Sequence, residues 1–197
     1  MVEFSPRKIR GCWKAGYALD WHIRSSEFIG YNEFGYEQYK TVRSPVGELL
    51  FQLKYRDKLN VVDELVAAAK SFVREWDPAV EVIIPVPPSN ADRQVQPVRL
   101  VGERLSSQLG LEWAPVSVVK TKSTPQLKDV TDFEEKKELL DGAFEVKTGG
   151  LEGKAVLLFD DLFQSGATMN AVADVLKQES HVDAIFALAL TRTSSAR

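Results

Sequence analysis

Val156-Leu157-Leu158-Phe159-Asp160-Asp161-Leu162-Phe163-Gln164-Ser165-Gly166-Ala167-Thr168 joins an apolar strand pattern to two adjacent acids, a polar turn and a helix start. Burying both carboxylates without partners would be costly, so Asp160 and Asp161 call for water, a cation or hydroxyl groups. Behind them, Gln164, Ser165, Gly166, Ala167 and Thr168 lead into a helix N-terminus. There, free backbone N–H groups and the helix dipole favour an anion such as phosphate. Gly166 lets the backbone approach it closely, and the Ser165 and Thr168 hydroxyls can donate to it. In an open parallel sheet, ligands bind beyond the carboxyl ends of the strands, which is where the two acids fall. A plain polar turn capped by Ser165 or Thr168 is the alternative. The spacing of acids and phosphate nest nonetheless matches one ribose 5-phosphate.

Outward from this segment, strands and helices alternate. Helical spacing of Val62, Leu65, Val66, Ala69, Phe72 and Val73 predicts a helix over 61–76, capped by Asp57 or Asn60 and stopped at Asp77-Pro78. Val80 to Ile84 reads as a buried strand opening into a proline-rich loop, and residues 95–109 as a helix ended by Gly110. Further strands are expected at 116–119, 142–146, 155–159 and 184–190, and a helix at 168–178. Residues 120–138 show no clean period, which in a compact domain suggests a functional or mobile loop. The expected fold is α/β: a mainly parallel twisted sheet with helices on both faces and an N-terminal aromatic-rich hood. One domain spans 1–197, with 1–56 as the hood or flap and 57–197 as the core.

The 197 residues are 44% hydrophobic and 27% charged, a globular composition. No apolar run approaches the length of a bilayer span and the N-terminus has no signal-peptide core, so a cytoplasmic protein without membrane contact is expected. Cys12 is the only cysteine, which excludes an internal disulfide and a cysteine-based zinc site, and His22 and His181 do not supply another metal site. A net charge of -3 argues against a broad nucleic-acid-binding face, while leaving room for local basic patches.

The segment around Asp160 and Asp161 resembles the signature of type I phosphoribosyltransferases: a hydrophobic run, two acids, two hydrophobics and a Thr/Ser-Gly-x-Thr loop. Gln164 departs from it at a position usually small or hydroxylated. Leu53-Lys54-Tyr55-Arg56, Ile84-Pro85-Val86-Pro87 with Gln96-Pro97, Thr124-Pro125-Gln126, Gly142-Ala143-Phe144 and Leu190-Thr191-Arg192 are similar, in the same order, to the ComF-like and amidophosphoribosyltransferase-like branch. That branch commonly carries a four-cysteine zinc module, which this chain cannot build. Its Arg-Gly-Phe-Asn-Gln stretch is shortened here to Arg93-Gln94-Val95-Gln96.

The resemblance implies binding of 5-phosphoribosyl 1-pyrophosphate (PRPP) and transfer of its phosphoribosyl group to a nitrogen nucleophile, with Mg2+ as cofactor. Asp160 and Asp161 are then the catalytic and metal-contacting acids. Gln164, Ser165, Gly166, Ala167 and Thr168 hold the 5-phosphate. Val86, Pro87, Pro88, Ser89, Asn90 and Arg93 approach the pyrophosphate, and Lys120, Lys122 and Lys128 reach it from a mobile loop. Lys54 and Arg56 either touch the ligand or lie along the surface; Asp20 and His22 fall in the hood. The acceptor is not named by any motif. A PRPP-binding regulator and a nucleic-acid accessory protein stand beside the enzyme as readings, and the exposed aromatics of the hood suggest a homodimer.

Overall fold

The computed structural model describes residues 2–90, 93–122, 130, 132–147 and 149–193. The chain opens with β1 (Arg7–Lys8), β2 (Ala15–Trp21), β3 (Ile23–Tyr31), β4 (Glu37–Arg43) and α1 (Pro45–Arg56). A 3-10 turn at Leu59–Val61 leads into α2 (Val62–Trp76), followed by β5 (Val82–Pro85), α3 (Pro97–Leu109), β6 (Glu112–Trp113) and β7 (Val118–Lys120). The last third holds α4 (Phe133–Leu140), β8 (Phe144–Val146), β9 (Ala155–Phe163), α5 (Ala167–Ser180) and β10 (Ala184–Arg192).

Among the described residues the central sheet has six strands in the order β1-β2-β10-β9-β5-β6. Only β1 runs antiparallel. Alternate residues of β9 face opposite ways and both faces are covered. Val156 and Leu158 pack with Met169, Val172 and Leu176 of α5. Leu157 and Phe159 pack with Leu50 and Leu53 of α1, Leu65 of α2 and Val101 and Leu105 of α3. The expected mainly parallel sheet with helices on both faces is therefore what the chain forms.

Several boundaries differ from expectation. Only residues 23–43 project as an aromatic ribbon, β3 paired with β4. Residues 15–21 are instead a strand of the central sheet, parallel to β10, and 45–56 a helix on its face. Asp57 takes a left-handed conformation (φ 50°) and ends α1 rather than starting α2, which begins without a side-chain cap. Residues 118–120 pair antiparallel with 144–146 in a separate two-stranded sheet, outside the main one. The aperiodic segment 120–138 contains the start of α4, capped by the Asp132 carboxylate on the Glu135 N–H. No helix among the described residues is long and apolar enough to cross a membrane.

Gly110 ends α3 at φ 71° with open space where a side chain would project. Backbone strain alone should make Gly110→Ala destabilising by about 1 kcal/mol, read from urea midpoints.

Candidate functional site

β9 does not stop before the acids: it pairs with β10 as far as Phe163 opposite Arg192. Asp160 and Asp161 are thus strand residues, and strand alternation sends their side chains to opposite faces. Asp161 follows the face covered by α1, where its Oδ2 accepts from Lys54 Nζ at 2.8 Å. With the two side chains only 16% and 13% exposed, this is a shielded ion pair. Lys54, left open by the sequence, is therefore tied to the second acid. Lys54→Met would strand the Asp161 carboxylate and should cost about 2 kcal/mol in urea unfolding, somewhat below the range for a fully buried pair.

Among the described residues no such cation contacts Asp160, although its Oδ1 accepts from the Asp161 N–H at 2.8 Å. Crowding by protein and then the neighbouring Asp161 carboxylate push its carboxyl up to about 8, against smaller opposing effects of that N–H and of Lys54. A carboxyl in this condition is stabilised by an incoming cation or by hydroxyl donors. Mg2+ in phosphate sites keeps several waters and is held by one or two carboxylates plus the phosphates of the substrate. Among the described residues no group of three or more His, Cys, Asp or Glu forms a metal cage. Asp160 thus fits a Mg2+ carried in with a phosphate ligand, while Asp161 is already neutralised by Lys54. The two acids do not form one clamp.

After Phe163 the chain exposes Gln164 and Ser165 and turns at Gly166, whose φ of 81° and position as N-cap start α5 without any side-chain cap. Ser165 Oγ lies 3.4 Å from the Ala167 N–H, at the limit of a hydrogen bond. A Cβ on Gly166 would come within 2.7 Å of the Phe163 ring and 3.3 Å of the Asn170 amide. Asn170 Nδ2 donates to Gly166 O at 2.9 Å while its Oδ1 accepts from the Cys12 N–H at 2.8 Å, so the turn is braced from the N-terminal segment. Thr168 is partly exposed. A cavity of about 710 Å3 runs along α5 against α4, lined at one end by Ser165 and Ala167 and at the other by Gln178 and Glu179. It adjoins the turn but Asp160 is not among its walls.

Beside β9, the loop after β5 begins at the same edge of the sheet. Val86 is buried and its N–H donates to Phe159 O at 2.8 Å, so it serves the sheet and has no side chain to offer a ligand. Pro87 is half-buried, and Pro88, Ser89 and Asn90 are exposed. Gln96 Nε2 gathers the loop by donating to Asn90 O at 2.9 Å and Arg93 O at 3.0 Å. The Arg93 guanidinium lies 5.9 Å over the Tyr55 ring at the end of α1. Lys120 ends β7, whereas Lys122 Nζ donates to Asp141 O at 3.1 Å near the end of α4. Lys128 and the motif residues 124–126 lie outside the described residues.

Two further side chains, Thr191 and His22, gather near Asp161. The Thr191 hydroxyl meets Asp161 O at 3.3 Å and His22 Nδ1 at 3.2 Å. Asp20 is a buried residue of β2, accepting from its neighbour's N–H and facing Arg24 at 3.4 Å. Cys12 packs against α5, with burial and then Asp174 pushing its thiol up to about 11, which suits inert packing. The sequence signal for Thr191 was its place beside Arg192 at a strand end; for His22 there was none beyond its type.

No family model matches the chain, and no curated protein matches it. Solved phosphoribosyltransferases share its architecture. Adenine phosphoribosyltransferase of Trypanosoma brucei, in complex with AMP, pyrophosphate and ribose-5-phosphate, is 10% identical with a TM-score of 0.50 over 95% of this chain and 74% of its own. The Thermoanaerobacter pseudethanolicus adenine phosphoribosyltransferase is 17% identical, with a TM-score of 0.47 over 84% of this chain and 95% of its own. At such identities the likeness is one of fold: the chain has the α/β architecture of the type I phosphoribosyltransferases.

Proposed function

We propose that this protein binds PRPP at the carboxyl end of β9 and transfers its phosphoribosyl group to a nitrogen nucleophile, releasing pyrophosphate. The observation that carries the reading is the sequence of surfaces along one strand end. A carboxyl raised by crowding is followed, within a few residues, by a glycine turn and a helix N-terminus with no side-chain cap. Asp160 would accept from the ribose hydroxyls and contact Mg2+ when it arrives with the ligand; Mg2+ would screen the leaving pyrophosphate. Backbone N–H groups and hydroxyls of residues 164–168 would hold the 5-phosphate. Asp161, held by Lys54, would keep the strand end in place. Pro88, Ser89, Asn90 and Arg93 are the groups nearest in the chain for the pyrophosphate, and Lys120 and Lys128 are candidates from the 120–138 segment. Holding geometry and screening charge is most of what such a displacement asks of a protein.

The ComF-like resemblance is supported by Lys54, a member of its Leu-Lys-Tyr-Arg segment that reaches the second acid here. One observation favours a PRPP-binding regulator instead: Arg93, the only arginine of the shortened loop, lies over Tyr55. Pyrophosphate release from PRPP and Mg2+ with a panel of nucleobases and ammonium decides between them. An enzyme releases pyrophosphate with one acceptor; a regulator binds PRPP and releases none. A protein using PRPP is expected in the cytoplasm. Self-association would cover the ribbon, where Ile29, Tyr31, Phe34 and Tyr36 are each more than 60% exposed. A standard interface needs about 800 Å2 on each partner. Sedimentation should report a homodimer, and a monomer at micromolar concentration would contradict that part.

A further inference from the structure

We propose that Arg7 and Arg192 form a second oxyanion site, beside the phosphate turn, for the carboxylate or phosphate group of a small molecule other than PRPP. The site itself stands without the PRPP reading; only its link to transfer rests on that reading.

The sequence concentrates positive charge here. Residues 4–19 contain Arg7, Lys8, Arg10 and Lys14 and no acid, so this stretch is locally basic in a chain of net charge -3. β1 exposes Arg7 and Lys8 on the outermost strand, and its pairing with β2 sets Arg7 opposite Ala18. β2 and β10 run parallel, with Trp21 opposite Arg192 at their ends. β1 and β10 therefore bring their cations to one ring. The Arg7 guanidinium lies 5.6 Å from the centre of the Trp21 ring and that of Arg192 lies 4.9 Å from it.

Two cations on one indole repel each other, and no carboxylate among the described residues neutralises them. Asp20, the nearest acid along the chain, is buried, with one oxygen on the Trp21 N–H and the other facing Arg24. None of the ion pairs among the described residues includes Arg7 or Arg192. Burial and then Arg7 lower the pKa of Arg192, and no described acid opposes them. An arriving oxyanion relieves that repulsion.

Arg192 is also held ready for one. Its Nη1 donates to Lys8 O at 2.9 Å, and its Nε lies 3.5 Å from Thr193 O, at the limit of a hydrogen bond. Its Nη2 and the N–H groups of Arg7 have no acceptor among the described residues. Packing over Trp21 and, at 5.9 Å, over Phe163 fixes the guanidinium in place. A planar fork with free N–H groups matches a carboxylate or a phosphate. Stapling β1 through Lys8 O accounts for Arg192 alone; it gives no reason for a second guanidinium on the same ring.

Phe163 also locates the site. A Cβ on Gly166 would meet this ring at 2.7 Å, so one aromatic ring separates Arg192 from the phosphate turn. PRPP is assigned to the end of β9 and the loop after β5, whereas the two arginines lie on the other side of β9, on β10 and β1. A second anion can bind there while the turn is filled.

Nitrogen-15 NMR of the full chain, titrated with inorganic phosphate against chloride at constant ionic strength, reads the two sites separately. The Trp21 indole and Arg192 guanidinium signals, assigned with Trp21→Phe and Arg192→Lys, should move saturably. They should still do so when PRPP and Mg2+ have silenced the backbone N–H response of residues 166–168. Arg7→Gln, which removes no hydrogen bond, should weaken the phosphate affinity read at Trp21 by about tenfold. Arg192→Lys, which keeps the charge but not the fork, should weaken it by a similar factor. Signals that ignore phosphate, follow chloride equally, or keep their affinity in Arg7→Gln would each overturn the site. Pyrophosphate release and PRPP calorimetry then tell the sources of the anion apart. If it belongs to the acceptor, release is faster with orotate than with uracil, the same ring without the carboxylate, and Arg7→Gln loses that preference. If it belongs to an effector, phosphate changes PRPP affinity in the wild type but not in Arg7→Gln. In a protein that binds PRPP, phosphate binding with neither effect would mean an adventitious ion only and overturn the proposal. A protein that takes up no PRPP, yet responds to phosphate at Trp21 and Arg192, would overturn the transfer reading and leave this site standing.

Discussion

Asp160→Asn is expected to yield a protein that is more stable than the wild type at pH 8 and nearly inactive. In the folded chain the Asp160 carboxyl is pushed from an ordinary 3.8 up to about 8. Between those values the folded state holds a proton that the unfolded state has released. Its contribution to stability therefore declines as pH rises from about 4 to about 8. Asparagine has the shape of the protonated acid and no proton to lose. Melting temperatures of the two proteins should be close at pH 4, with the variant ahead by a margin that widens towards pH 8. Comparing the pair removes the opposite, smaller trend from His22, whose lowered pKa favours the folded state as the ring deprotonates. The amide would also lose the charge that faces Mg2+ and accepts from ribose hydroxyls. Pyrophosphate release should fall by about 100- to 1000-fold, the usual scale for removing one preorganised electrostatic contact. A variant that is both less stable at pH 8 and fully active would contradict the role given to Asp160.

Gly166→Val should lose both stability and ligand. At φ 81° a β-branched residue is a true outlier, costing more than the roughly 1–2 kcal/mol of an ordinary side chain. The added Cβ would also meet the Phe163 ring at 2.7 Å. That ring cannot retreat easily, because Trp13 packs edge-on to it at 6.1 Å and the Arg192 guanidinium lies 5.9 Å above it. We expect destabilisation of about 2–4 kcal/mol by urea unfolding. The comparison with Gly110→Ala is informative, since Gly110 has the same handedness and open space around it. In the folded fraction, at low temperature, PRPP affinity should drop at least about tenfold, because the side chain crowds the N–H groups that face the phosphate.

The core of the fold was legible where local pattern and long-range structure agree. Val156 to Phe159 is apolar at every position because both faces of β9 are covered, and Gly166 marks the turn that only a positive φ permits. The first 56 residues were harder. β2 looks like part of an aromatic appendage, yet it lies beside β10, whose partners are some 170 residues away. Ser44-Pro45 and the spacing of Val46, Leu50 and Leu53 do signal α1, but Gly47 reads as an interruption. Its reason is the carbonyl of His22, a contact that local sequence does not reveal. The same holds for Lys54 and Asp161, 107 residues apart. The signature segment told which groups the site contains. That its two acids face opposite sides of the sheet, one held by a lysine, follows only from the extension of β9 through both.

Calorimetric titration of the full chain with PRPP, and separately with ribose 5-phosphate, tests the central claim most directly. The account predicts one site per chain for each ligand, mutual competition between them, tighter binding of PRPP when Mg2+ is present, and binding of both at least about tenfold weaker in Gly166→Val. A folded wild-type protein that takes up neither ligand, with or without Mg2+, would contradict it.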